Sequence, residues 1–390
     1  ISNLFFFFYY YKFYSRLSFL MKIKIQSYKE KDIPEVKNFN ARLKSRNINT
    51  KFPESNLPDW LPKDQSLSIY QEYFLAFIDE VVRGGYILKH QEFFINGKVI
   101  SIADYQLPLS EGIVNSKYSY LGINLTLDAL RRSPKLFAMG MGGMSEKLPK
   151  LLKAMKWNIS QIPFHFMILN PTNFLKNITY LRSNLLRILF LDFLAYSKLG
   201  YVSIKIFKFF KKEKYQKIKN NITISTCLRF DKKADILWNN IKENYKFIAL
   251  RTSKILNILY SKRIFKKLEI WDKDNYVGWA IVLDTKMKSH KQFGSMRVGS
   301  IVDCLSHPED SIKILSGATK YLISRNVDII VTNHSHELWN NSLDRLGYIE
   351  GPSNYLFASS KDLSNEMGSF EKNKNKVYFT RGDGDGHINL

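Results

Sequence analysis

Apolar and polar positions alternate along this chain in two stretches that pass through the same order of events. In the first, residues 82–88 have the two-residue period of a strand, Asn96-Gly97 has the composition of a tight hairpin turn, and residues 98–105 return as a second strand. A helical spacing follows at 120–132, then a short apolar strand at 136–139, a second helix at 148–157 ending in Trp157, and an aromatic strand at 162–169. In the second stretch, strands at 276–283 and 297–304 are followed by a helix at 310–325, a strand at 328–332, a helix at 338–348 ending in Tyr348, and a last strand at 354–358. Both returning strands contain Ser-Ile-x-Asp, at Ser101–Asp104 and Ser300–Asp303. The order β-β-β-α-β-α-β therefore occurs twice, which predicts a duplicated α/β unit with mixed sheets (α+β). The expected division is 21–170 and 221–390 as the two units and 171–220 as a helical basic linker. Each core is expected to close with its own last strand.

The ends and the linker refine this picture. Residues 1–20 read ISNLFFFFYYYKFYSRLSFL, with the basic residues after the aromatics rather than before them. That is the reverse of a secretory leader, so the stretch is expected to be a non-native or disordered extension before Met21, with a short aromatic membrane anchor as the competing reading. Residues 185–210 are apolar but broken by Arg187, Asp192, Lys198, Lys205 and Lys208, too polar to span a bilayer. The linker then carries Lys211, Lys212, Lys214, Lys217 and Lys219. It reads as a packed connector with a solvated face or as a surface for tRNA or a membrane.

The formal charge of +24 comes mainly from lysine in a chain rich in Ile, Asn, Phe and Tyr, the drift of an AT-rich coding sequence, so no DNA partner is called for. Two cysteines, Cys227 and Cys304, stand far apart, which indicates neither a zinc site nor a disulfide framework and makes a reduced cytoplasm the default location.

Candidate chemistry is sparse. Asp104 and Asp303 sit on strands, where a carboxylate needs either a basic partner or a catalytic task as general base. Gly140, Gly142 and Gly143 directly follow a strand and permit close backbone approach. Asn333 and His334 follow the matching strand of the second copy, either as helix-capping residues or as a site; no metal is expected there, because no carboxylate or cysteine accompanies the histidines. The chain ends on TRGDGDGHINL, which is too short for a calcium loop closing on a glutamate about twelve residues on. Residues 376–380 are expected to add a strand to the sheet of the second copy. Arg381, Asp383 and Asp385 would then border a substrate pocket for an amine or polyol, or form a hydrogen-bonded cap, and the tail would bury too little to matter to either core.

The strand order, the glycine in the third strand and the Leu346-Gly347-Tyr348 end of the last helix resemble the GNAT superfamily of N-acetyltransferases. The resemblance covers roughly 21–169 and 221–359 and makes the chain look like a tandem GNAT, similar to bacterial proteins of unassigned substrate. It implies an N-acyltransferase: two strands splay, and acetyl-CoA or another acyl-CoA wedges between them, with its pyrophosphate on backbone N–H groups at a helix start. By position, the clefts would be flanked by Asp104–Leu109 and Phe137–Gly143, and by Asp303, Leu305, Ser306 and residues 331–335. The implied acceptor is the amine of a small polar molecule. Two departures accompany the resemblance. The family's Gln/Arg-x-x-Gly-x-Gly/Ala phosphate loop is absent from both copies, and its thiolate-protonating tyrosine corresponds to Leu152 and Leu343. A Fem-type transferase using charged tRNA and a non-catalytic binding protein of the same fold are the alternatives.

Overall fold

The computed structural model describes residues 23–55, 60–64, 67–182, 184–197 and 222–384. The first half runs β1 (Lys24–Ser27), α1 (Ile33–Lys44), β2 (Tyr70–Ile78), β3 (Val81–Ile95), β4 (Lys98–Ser110), α2 (Leu121–Arg132), β5 (Leu136–Met139), α3 (Lys147–Ala154), β6 (Asn158–Gln161) and β7 (Phe164–Ile168). After α4 (Pro171–Asn177) and α5 (Leu185–Tyr196), the second half runs β8 (Ile222–Cys227), α6 (Lys232–Ile241), β9 (Phe247–Ala249), α7 (Ser253–Leu259), β10 (Lys266–Asp272), β11 (Asn275–Lys286) and β12 (Arg297–Ser306). It ends with α8 (Ser311–Ser324), β13 (Ile329–Asn333), α9 (Glu337–Leu346), β14 (Ile349–Gly351), β15 (Leu356–Ser359), α10 (Lys361–Met367) and β16 (Val377–Tyr378). Two tandem units of mixed α/β architecture, the class read from the sequence, are what the chain forms.

Local chemistry accounts for the main elements. The β3–β4 hairpin turns at Asn96 (φ 48°) and Gly97 (φ 83°), both left-handed, as a type I′ turn requires. In α2 the buried residues Leu121, Leu125 and Ala129 fall four apart on one stripe. Helix α9 ends where Gly347 takes φ 88°, its N–H donating to Asp344 and that of Tyr348 to Leu343, a Schellman closure that explains the Leu-Gly-Tyr signature.

Sheet topology corrects one expectation. The first sheet has the order β1-β2-β3-β4-β5-β15-β6 and the second β8-β10-β11-β12-β13-β7-β14. The halves have exchanged their last strands: β15 lies antiparallel between β5 and β6, with Phe357 opposite Met139 and Ser160, and β7 lies antiparallel between β13 and β14, with Phe166 opposite Val331 and Ile349. A period of two marks a strand but not the sheet that receives it. Both connectors contain a proline, Pro163 and Pro352, which holds the preceding residue extended and favours a crossing over a tight hairpin. Neither core closes without the other half.

The tail strand corrects another. Residues 376–380 were expected in the second sheet, but Val377 and Tyr378 pair in parallel with Phe247 and Ile248 of β9, which pairs with β3 of the first sheet. Side-chain alternation then divides the segment between the two cores. Val377 and Phe379 pack with Phe93, Phe137 and Phe357 of the first sheet, and Tyr378 packs with Tyr245, Trp339 and Cys304 of the second. The linker's helical pattern is realised in α4 and α5, which cover the β7–β13 end of the second sheet; residues 198–221 and the 1–20 extension lie outside the described residues.

Candidate functional site: two clefts, one of them filled

Each unit contains one parallel strand pair that parts partway along. In the first, β4 and β5 pair at Ala103↔Leu136 and Asp104↔Phe137, and among the described residues their pairing ends there. In the second, β12 and β13 pair from Val298↔Ile329 to Ile301↔Thr332, and Asp303 lies just past the parting point. Asp104 is thus the last paired residue of β4, whereas Asp303 lies two residues past the last pair of β12, so the repeated Ser-Ile-x-Asp does not place the two carboxylates alike.

The second cleft is filled by the chain itself. On one flank Ser335 donates its N–H to Phe379 O (3.0 Å), its Oγ donates to Val377 O (2.8 Å), and Thr380 bridges to His334. On the other, the Tyr378 hydroxyl donates to Cys304 O (2.7 Å) and the Tyr245 hydroxyl to Ser306 O (3.2 Å). Leu305 and Ser306, positioned by the resemblance to meet a thioester donor, are fully buried beneath these side chains.

At the floor of this cleft lies a buried ionic network that the sequence reading found only in part. Arg251, 1 % exposed, donates from Nε and Nη2 to Asp303 Oδ1 (both 3.1 Å), from Nη2 to Asp383 (2.8 Å to Oδ2) and from Nη1 to Ala249 O (3.1 Å). Asp303 also accepts from the Tyr260 hydroxyl (3.0 Å), the Thr380 hydroxyl (3.0 Å) and Cys304 N–H (2.9 Å). Asp383 Oδ2 accepts from Thr380 N–H (2.8 Å), and the Asp383 carbonyl accepts from Lys89 Nζ (2.7 Å) on β3 of the first sheet. Burial pushes the Asp303 carboxyl up, against the pull of Arg251. Burial also disfavours the Arg251 charge, yet the two carboxylates hold its pKa well above the ordinary value. Satisfied on nearly every lone pair, such a cluster is tolerable in a core, and removing one partner would strand the rest.

The glycine of Arg-Gly-Asp has a steric cause. A Cβ on Gly382 would overlap the Tyr260 hydroxyl and press on Asp303 Cβ, so only glycine lets the tail lie this close. The expectation that the tail is immaterial to the cores is corrected here, because Asp383 completes the network of both. Arg381 is half-buried, donates to Asn333 Oδ1 (3.2 Å) and lies over the Tyr355 ring, while Asn333 Nδ2 donates to Pro163 O (2.9 Å). His334 is fully buried, its Nε2 3.0 Å from Thr332 Oγ1 and its ring stacked on Trp339; burial lowers its pKa to about 3. So Asp303, Asn333, His334, Arg381 and Asp383 do converge, on a filled cleft. Asp385 lies outside the described residues.

The first cleft differs. Leu107 and Pro108 on its β4 flank are half-exposed, and on the other flank Gly140, Gly142 and Gly143 all take positive φ in an open turn where Gly142 is exposed. Helix α2 beyond it has neither an acidic residue in its first turn nor a side-chain cap, whereas α8 of the second unit follows Glu309 and Asp310, with Asp310 paired to Lys313. Behind the cleft a buried polar row crosses the sheet: Gln71, Lys89 and Asp104 stand opposite one another on β2, β3 and β4, and Gln106 donates to Asp104 (2.7 Å) and accepts from Gln71 (2.9 Å). Arg251, Tyr260, Lys89, Gln71 and Gln106 were not legible as site residues; the one clue was that two strand carboxylates demanded partners. Among the described residues no group of three His, Cys, Asp or Glu could hold a metal ion.

No family model matches the sequence, and no curated protein matches it. Solved structures similar to the chain include a probable N-acyltransferase from Enterococcus faecalis, at 10 % identity over 88 % of this chain and 74 % of that one, TM-score 0.49. Another is the N-myristoyltransferase of Saccharomyces cerevisiae with bound myristoyl-CoA, at 8 % identity over 91 % and 89 %, TM-score 0.47. A third is a tandem GNAT protein from the clavulanic acid biosynthesis pathway, at 10 % identity over 87 % and 98 %, TM-score 0.46. At these values the likeness is to a topology and says nothing of substrate.

Proposed function

We propose that the chain is an N-acyltransferase of GNAT type in which the first unit alone receives an acyl-CoA, and the second unit serves as a scaffold whose cleft is closed by the chain's own C-terminal strand. The observation that supports this most is the occupation of the second cleft: the Tyr378 and Tyr245 hydroxyls bond the Cys304 and Ser306 carbonyls of the strand edge that a pantetheine would need, and the Thr380 hydroxyl bonds the Asp303 carboxylate beside it. In the first unit the corresponding edge past Asp104 has no such strand among the described residues, and the uncapped start of α2 offers backbone N–H groups to a pyrophosphate.

The chemistry asked of the site is modest. An acceptor amine attacks the thioester carbonyl, the C–N bond forms, the C–S bond breaks, and the departing thiolate takes up a proton while the nitrogen loses one. Asp104, at the parting of the strands, is the carboxylate we assign to the nitrogen's proton; Gln106 orients it through the 2.7 Å hydrogen bond. A small polar amine is the acceptor class that the buried Gln71–Lys89–Asp104 row suits. Calorimetric titration with acetyl-CoA tests the assignment: one equivalent should bind, and Gly143→Trp, which fills the first cleft's turn, should abolish it. No binding of any acyl-CoA, or two equivalents, would overturn it.

A further inference from the structure

Helix α5 presents an apolar face that nothing among the described residues covers. Leu185, Leu186, Leu189, Phe190, Phe193 and Tyr196, spaced along one side of the helix, are each 57–79 % exposed. The opposite side is a proper core face: Leu191 and Ala195 are buried against Phe174, Ile178 and Phe293. The one acidic residue of the helix, Asp192, is paired to Arg182 at 2.9 Å. Positive charge stands at the end of the exposed side and in a neighbouring loop. Lys176 lies 3.9 Å from the Tyr196 ring, and the exposed Lys288 and Lys291 flank a loop tied to the start of this region through Thr179 N–H to Gln292 O (3.1 Å). By sequence alone, residues 198–221 that follow carry eight lysines against the single acid Glu213.

We infer that α5 is a docking surface for an anionic lipid bilayer, lying in the interface with its leucines and phenylalanines among the acyl chains and the lysines at the headgroups. Aliphatic and aromatic side chains on one face with cations near it is the pattern of an interfacial helix. At twelve residues, about 18 Å long, the helix is shorter than the roughly 30 Å of hydrocarbon it would need to span, so it lies on the surface. RNA fits less well, since half of the exposed face is leucine, which offers neither stacking nor charge to a nucleotide. A second copy of the chain also fits less well: a face about 18 Å by 10 Å is far below the roughly 800 Å² per partner of a stable dimer.

Co-sedimentation of the full chain with vesicles of phosphatidylcholine and phosphatidylserine tests this, against vesicles of phosphatidylcholine alone. The chain should pellet with the anionic vesicles and dissociate as salt is raised. Leu186→Ser/Phe190→Ser should lower the partition coefficient at least about tenfold while leaving the thermal midpoint unchanged, since both side chains are exposed. The proposal fails if the double variant binds as the parent does, including the case where only removal of residues 1–20 abolishes binding. It fails equally if the double variant lowers the midpoint by several degrees, which would mean that another part of the chain covers the face. Conversion of a dimer to a monomer by the double variant would assign the face to self-association, and RNA binding without vesicle binding would assign the lysines to nucleic acid; either result overturns it.

Discussion

The two clefts of this molecule begin from the same four-residue signature and end in opposite states. In the first, Asp104 stands beside Gln106 at the head of a parting strand pair, with a half-exposed flank and a glycine turn beyond. In the second, Asp303 is locked by Arg251, Tyr260 and Thr380 under a strand supplied by the chain's own tail. Duplication delivers two copies of a fold, and the difference teaches that one copy can be turned into structure by filling it, while the other has no such strand in its cleft among the described residues. The strand exchange binds the two fates together, because neither sheet is complete without a strand from the other half.

The comparison is broken most severely at the network. Arg251→Ala would leave two buried carboxylates facing one another, and a loss of about 3–5 kcal/mol in unfolding free energy is expected, read from denaturant midpoints. Asp383→Ala should cost less, about 2–3 kcal/mol, because Arg251 keeps its bonds to Asp303 and loses only those to Asp383. A variant that unfolds at the parental midpoint would show that the second cleft is not held in the way described.

An acid shift comes next in size. His334 and His336 are buried, and burial lowers them to about 3 and about 4. Their folded values lie below the ordinary value near 6.5, so the unfolded chain binds more protons in acid. The stability they contribute is fully present above pH 6.5 and is lost as pH falls through about 4 for His336 and about 3 for His334. From pH 7 to pH 5 each should cost roughly 2 kcal/mol, at 1.36 kcal/mol per pH unit below 6.5. His336→Gln should flatten that slope by about half; a stability flat between pH 7 and 5 would contradict the burial of both rings in the second unit.

These residues also mark what could be read from the sequence. The β-hairpin at Asn96-Gly97, the Schellman end at Gly347 and the paired Ser-Ile-x-Asp strands are local features, and local rules found them. Strand exchange is non-local: the alternation of residues 162–169 is equally suited to either sheet, and only Pro163 hinted at a crossing. Arg251 follows a three-residue strand and sits in no motif, so its pairing with Asp303 and Asp383, 52 and 132 residues away, had no signature. The tail was suspected of chemistry for its glycines and aspartates; Gly382 is there to pass Tyr260, and Asp383 to meet Arg251.

A smaller effect sharpens the contrast within the tail itself. Arg381 is half-buried and bonded to Asn333, so Arg381→Ala should cost less than Asp383→Ala, whose carboxylate is buried against Arg251. In the first cleft Asp104→Asn should lower acyl transfer about 100-fold or more without weakening acyl-CoA binding, as expected for loss of a proton acceptor. Equal destabilisation by Arg381→Ala and Asp383→Ala would erase the distinction between the network and its rim.

Amide hydrogen exchange across both clefts, with and without acetyl-CoA, addresses the central asymmetry most directly. The amides of Phe379 and Thr380, bonded to Ser335 Oγ and Asp383 Oδ2, should exchange only through large-scale opening and should keep their rates when acetyl-CoA is added, apart from any global stabilisation. Amides in residues 105–110 and 140–143 should slow on its addition. Rapid exchange at Thr380 in the free protein, or ligand protection confined to residues 303–306 and 333–336, would contradict the account.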